Sequence, residues 1–238
     1  MKKLGVIGGL GPMATAYFFE LVVEMTKAET DQEHIEILLH NCPSVPDRTE
    51  YIMGRSRENP LEKMAEIGKQ LAAWADVLAI PCVTAHYFCQ ELQAAVGMPL
   101  LDAVKETAVY LKERGYTRVG IMATEATVET DLFGEELAKY GIRVIYPDEG
   151  HQKLVMHLIY ENVKAGKNLE KPVFHKIRKH MFDNGAEVIL LGCTELSMLK
   201  KQNMTGPGFL DVLEVLAKCC VEQCGALKES WQELITKE

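Results

Sequence analysis

The sequence predicts an α/β fold of two pseudo-symmetric domains, each a parallel sheet flanked by helices, with a candidate active site in the cleft between the halves. Three observations predict it. Short β-branched apolar runs alternate with longer amphipathic segments, the habit of a parallel sheet covered by helices on both faces. The pattern is also repeated: Leu4-Gly5-Val6-Ile7-Gly8-Gly9 resembles Val119-Gly120-Ile121-Met122-Ala123-Thr124, and Ala75-Asp76-Val77-Leu78-Ala79-Ile80-Pro81-Cys82 resembles Ala186-Glu187-Val188-Ile189-Leu190-Leu191-Gly192-Cys193. The two copies keep nearly the same internal spacing, 78 positions from Leu4 to Cys82 and 74 from Val119 to Cys193.

Taken in order, strands are expected over residues 4–8, 35–40, 77–80, 118–122, 143–146 and 187–191. A helix is expected over 12–28, because Tyr17, Phe18, Leu21, Val22 and Met25 fall at helical spacing and Pro12 suits a first helical position. Residues 1–102 and 209–238 are read as the first domain and 103–208 as the second. The run 171–180, with Lys176, Arg178, Lys179 and two histidines, reads as a solvated helix face. Cys219, Cys220 and Cys224 read as buried helix positions rather than metal ligands, since no histidine stands at a matching spacing.

Bulk properties narrow the function. A chain of 238 residues, 47% apolar and 25% charged, suits a globular protein, and its net charge of -8 argues against nucleic acid as a partner. No apolar stretch approaches the roughly 18 residues of a membrane span, and the apolar run after Met1-Lys2-Lys3 is too short for a signal peptide. The seven cysteines are an odd number and form no disulfide framework, which predicts a reduced, cytoplasmic protein.

Each copy places a cysteine just after a strand, and in open α/β sheets ligands bind beyond the carboxyl ends of strands. A lone strand-end cysteine is usually a small buried hydrophobe. Two at matching positions suit proton transfer to and from opposite faces of one carbon. The reference pKa of a thiol, near 8.5, lets one sulfur serve as base while the other stays an acid.

These residues carry a resemblance. Gly8-Gly9-Leu10-Gly11-Pro12-Met13-Ala14-Thr15, Asp31-Gln32-Glu33-His34, Pro46-Asp47-Arg48-Thr49, Pro81-Cys82-Val83-Thr84-Ala85-His86, Val163-Lys164-Ala165-Gly166 and Gly192-Cys193-Thr194-Glu195, in this order and spacing, resemble the aspartate/glutamate racemase family, most of all its aspartate racemase branch, over essentially the whole chain. The resemblance implies a homodimeric two-domain enzyme that racemises a small acidic amino acid, aspartate, with two catalytic cysteines and neither pyridoxal phosphate nor metal. Those cysteines correspond to Cys82 and Cys193. It further implies that Arg48 and Lys164 hold the substrate carboxylates, with Gly11, Val83, Thr84, Thr124, Thr127, Thr194 and Glu195 in loops lining the same pocket.

One position departs from the family pattern. Val83 stands where the family has asparagine, removing an amide whose hydrogen bond to a charged carboxylate is typically about 1.5 to 3 kcal/mol. Glutamate or another dicarboxylate is therefore an alternative substrate, and a catalytically impaired amino-acid-binding relative an alternative class. Thr124, Thr127 and Thr15 suit either carboxylate contacts or ordinary caps and turns, and His86 either tunes Cys82 or is structural. Gly9-Leu10-Gly11-Pro12-Met13-Ala14 also fits the dinucleotide fingerprint, yet the second strand ends in His40-Asn41, without the acid that would bind a ribose.

Overall fold

A computed structural model describes residues 1–237. The chain folds into two compact units, one of 1–103 with Leu213–Glu233, the other of Val104–Val212 with the described residues from Leu234 on. Each unit holds one fully parallel sheet flanked by helices. No helix among the described residues is long and apolar enough to cross a membrane.

In the first unit, β1 (Leu4–Gly8) leads through α1 (Pro12–Met25) to β2 (Ile37–Asn41), and α2 (Arg48–Ile52) and α3 (Pro60–Ala72) lead to β3 (Val77–Ala79). The sheet order is β2-β1-β3, with Leu4 opposite both Ile37 and Val77. Every residue of β1 is buried, as a central parallel strand covered on both faces requires. The face of α1 carrying Phe18, Leu21, Val22 and Met25 is buried, each large side chain contributing about 1.5–3 kcal/mol. After β3 come a short 3-10 turn (Val83–Phe88) and α4 (Cys89–Val96).

The second unit repeats this plan. From α5 (Ala103–Glu113) the chain enters β4 (Arg118–Met122), followed by α6 (Glu125–Glu129), α7 (Gly134–Ala138) and β5 (Arg143–Ile145). Next are α8 (Glu149–His157), a π-helical turn (Leu158–Val163), α9 (Lys171–Asp183) and β6 (Val188–Leu191). Then follow α10 (Ser197–Lys201) and β7 (Phe209–Asp211), after which the chain returns to the first unit with α11 (Val212–Cys224). The order is β5-β4-β6-β7. The first sheet has a trace of the same fourth strand: Leu78 donates to Pro99 O and accepts from Leu101 N, each at 2.9 Å, as Ile189 donates to Gly208 O at 2.9 Å.

The repeated glycine has a steric reason. A Cβ on Gly5 would lie 3.0 Å from Ala75 Cβ and 2.6 Å from Leu78 Cδ2, and one on Gly120 3.2 Å from Ala186 Cβ and 2.9 Å from Met181 Cε. At both places the strand meets the alanine two residues before the neighbouring strand, β3 or β6, and only glycine leaves room.

Several boundaries move from the sequence reading. Helix α1 stops at Met25 rather than residue 28 because Thr26 turns extended and forms an antiparallel bridge with Leu227. Strand β2 begins at Ile37, while Ile35 lies buried against Gly225. Residues 209–212, read with the first domain, group with the second unit because β7 pairs with β6. Cys220 and Cys224 are buried on α11 and Cys219 half-buried.

Candidate active site

In the first unit the residues of interest gather at the carboxyl ends of β1, β2 and β3. Gly9, just past β1, has φ +96°, and a Cβ there would fall 2.5 Å from the backbone of Cys42, so the turn demands glycine. Thr15 Oγ1 accepts the Gly9 N–H and donates to Gly11 O, both at 2.9 Å, curling the loop onto the first turn of α1. Thr15 is thus a loop staple. Gly11 caps α1 without a side-chain bond and is half-buried.

Arg48 opens α2, whose cap is Asp47, accepting the Glu50 N–H. Its guanidinium is buried and donates to Leu10 O at 3.0 Å, Pro46 O at 2.9 Å and Val45 O at 3.3 Å. These bonds bring a fixed cation to the glycine-rich loop, so Arg48 and Gly11 share one corner of the unit. Cys82 follows β3 in extended conformation, and Val83 and Thr84 are buried in the turn after it. The His86 ring donates from Nδ1 to Cys82 O at 3.0 Å, while its buried Nε2 has no hydrogen-bond partner among the described residues. His86 therefore braces the backbone of the turn.

The second unit assembles its own group. Thr124 caps α6, its Oγ1 accepting from Thr127 N at 3.4 Å and lying 3.1 Å from Thr127 Oγ1. Both are buried, and this geometry fits the capping alternative. Cys193 follows β6, where Gly192 N–H is tied to Met122 O at 2.8 Å. The Cys193 S–H donates to Glu195 Oε2 at 2.9 Å, and Thr194 Oγ1 reaches the same oxygen at 3.5 Å.

Burial pushes the Cys193 thiol well above its ordinary pKa, and the charge and hydrogen bond of Glu195 add to the rise. The Lys164 charge and a hydrogen bond from the Glu195 backbone act the other way. The Lys164 charge is therefore felt at the Cys193 sulfur.

Lys164 is exposed and follows the π-helical turn directly; its N–H bonds Ile159 O at 3.0 Å and its Nζ lies 3.9 Å from the Tyr160 ring centroid. Such turns often occur at functional sites. A brace that the sequence did not reveal supports this one: His157 bonds Glu161 through Nδ1 at 3.0 Å and Glu170 through Nε2 at 2.8 Å. Asn162 in turn donates to Glu170 at 3.1 Å. The hydrogen bond to Glu170 raises the His157 pKa, and desolvation opposes it. The only signal in the sequence was the spacing of His157 and Glu161, one helical turn apart.

Possible metal ligands are few. Among the described residues Asp148, His151 and His180 bring ligand atoms within 4.8 Å of one another. The two rings stack at 3.8 Å and 13°, and Asp148 Oδ1 is bound to His151 Nδ1 at 2.7 Å, so the three side chains already engage one another.

Two parallel sheets of matched topology, each ending in a buried cysteine, define the class. The model of the Asp/Glu/Hydantoin racemase family matches residues 7–220, and the chain belongs to this family, an isomerase of the racemase class. Its fold matches that of the Picrophilus torridus aspartate racemase at 31% identity and a TM-score of 0.83, over 98% of each chain. It is 24% identical to the broad specificity amino-acid racemase RacX of Bacillus subtilis over 92% of this chain and 96% of that one. With the glutamate racemase of Limosilactobacillus reuteri it shares 26% identity over 84% of this chain and 71% of the relative.

Proposed function

We propose that this racemase interconverts L- and D-aspartate, with Cys82 and Cys193 exchanging the α-proton from opposite faces of the α-carbon. The observation that carries this reading is positional. β3 lies beside the central β1 and β6 beside the central β4, and each strand hands the chain to a buried cysteine at its carboxyl end. One thiolate removes the proton, the other sulfur's thiol supplies its replacement, and the roles exchange for the opposite enantiomer. Arg48 and Lys164 are proposed to anchor the two carboxylates, with Gly11, Thr84, Thr124, Thr127 and Thr194 lining the pocket.

The 31% identity to an aspartate racemase supports aspartate as substrate. A second reading, glutamate or a broader set of acidic amino acids, is favoured by Val83, whose buried side chain offers no amide to a short carboxylate. The family resemblance also supports a homodimer, which light scattering would show as twice 26.6 kDa, and the free cysteines suit a reducing compartment such as the cytoplasm.

Incubation with L-aspartate in heavy water, without added cofactor, tests the reaction. The α-hydrogen should be replaced by deuterium as the D-isomer accumulates, and Cys82→Ser and Cys193→Ser should each slow racemisation roughly a hundredfold or more. Full activity in either variant removes the two-thiol route; turnover of glutamate but not aspartate selects the second reading.

A further inference from the structure

The repeat breaks at the residue two positions after each cysteine, Thr84 in the first copy and Glu195 in the second. The consequence is visible at the sulfurs. The hydrogen bonds of Cys82 run through its backbone, its carbonyl accepting from His86 and Ala85 and its amide donating to Ile80. Cys193 instead directs its S–H to the Glu195 carboxylate at 2.9 Å, and the two residues are only 5% and 6% exposed.

We propose that Glu195 is the proton partner of Cys193, a positioning residue that holds this cysteine as a thiol at rest and takes its proton whenever it must act as a base. This rests on the racemase reading given above. The transfer is Cys193–SH plus Glu195–COO⁻ giving Cys193–S⁻ plus Glu195–COOH; the thiolate then takes the α-hydrogen as a proton, leaving a carbanion that Cys82–SH protonates. The Cys82–S⁻ and Glu195–COOH left behind are reset by taking up and giving up one proton with water. In the opposite sense Cys82–S⁻ takes the α-hydrogen as a proton, Cys193–SH protonates the carbanion, and the Cys193 thiolate recovers a proton from water through Glu195.

Electrostatics favour a shuttle over a separate buried base. The pair carries one negative charge before and after the internal transfer, so no new charge is created in a desolvated place. The Lys164 charge acts on the same sulfur and opposes the effect of the carboxylate. Glu195 therefore meets the sulfur rather than the substrate, and Cys193 begins a cycle as a thiol.

Ultraviolet thiolate absorbance, taken as the difference between the parental protein and its Cys193→Ser variant, reads this directly without substrate. The Cys193 signal should emerge above the ordinary thiol range, and in Glu195→Gln it should move down by about one pH unit or more. Glu195→Asp, which keeps the charge and shortens its reach, should move it less and in the same direction. An ordinary parental titration, or one unmoved in Glu195→Gln, overturns the proposal; should that variant fail to fold, the parental and Glu195→Asp curves decide by the same criteria. Racemisation with an unmoved titration removes the pairing and leaves the reaction, whereas a moved titration with no racemisation of any acidic amino acid removes the reaction and leaves the pairing.

Discussion

At the scale of single residues, steric room and charge decide what each position can do. Gly9→Ala places a methyl group 2.5 Å from the Cys42 backbone at a φ of +96°. Its backbone conformation alone should cost about 1–3 kcal/mol, read as a lower urea midpoint, and an unchanged midpoint would show that the loop relaxes freely. Val83→Asn should raise kcat/KM for aspartate by about tenfold, the value of one charge-assisted hydrogen bond near the low end of its range; no change would mean that this side chain does not meet the substrate. Cys82 and Cys193 stand out in the sequence because residue type and strand-end position coincide in both copies, whereas Arg48 stands out only through the family resemblance. The S–H bond to Glu195 could not, since adjacency in sequence does not say whether an acid turns toward a thiol or toward solvent.

At the scale of elements, the π-helical turn before Lys164 is held by His157, and that hold is sensitive to pH. His157 has a pKa raised in the folded protein by its bond to Glu170. Its contribution to stability is therefore fully present below the unfolded value of about 6.5 and is lost as pH rises through the higher folded value. Comparing urea midpoints near pH 5 and near pH 8, His157→Gln should shrink the difference between them; an identical difference in both proteins would exclude this histidine as its source. Because the side chain is partly exposed, the effect should be modest.

The strands were legible where β-branched runs are flanked by turn residues, as in β1 and β4, which begin and end where expected. Strand β7 was not, for Phe209–Asp211 is three residues long and follows Gly206-Pro207-Gly208, which reads as loop. The π-helical turn likewise leaves no period in the sequence that separates it from the helix it continues.

At the scale of the molecule, each half of the chain surrenders its last helix. From Val104 onward α5 belongs to the second unit, and from Leu213 onward α11 belongs to the first. The buried face of α11 includes Leu213, Val215, Leu216, Cys220, Val221 and Cys224. Ending the chain at Asp211 takes all of α11 from the first unit but only Val212 and the short segment from Leu234 on from the second, so it should open the first unit more than the second. Hydrogen exchange followed by mass spectrometry should show β1 and β3 losing protection while β4 and β6 keep theirs; equal loss in both sheets would refute the assignment.

That arrangement sets an order on synthesis. The ribosome releases the first sheet early, yet α11, which groups with it, is translated only after every strand of the second sheet, so the nascent amino-terminal half must wait, with apolar surface unprotected, until that helix has emerged. Only the second sheet can be completed as its own codons are read, a reversal of the usual amino-to-carboxyl sequence in which domains mature.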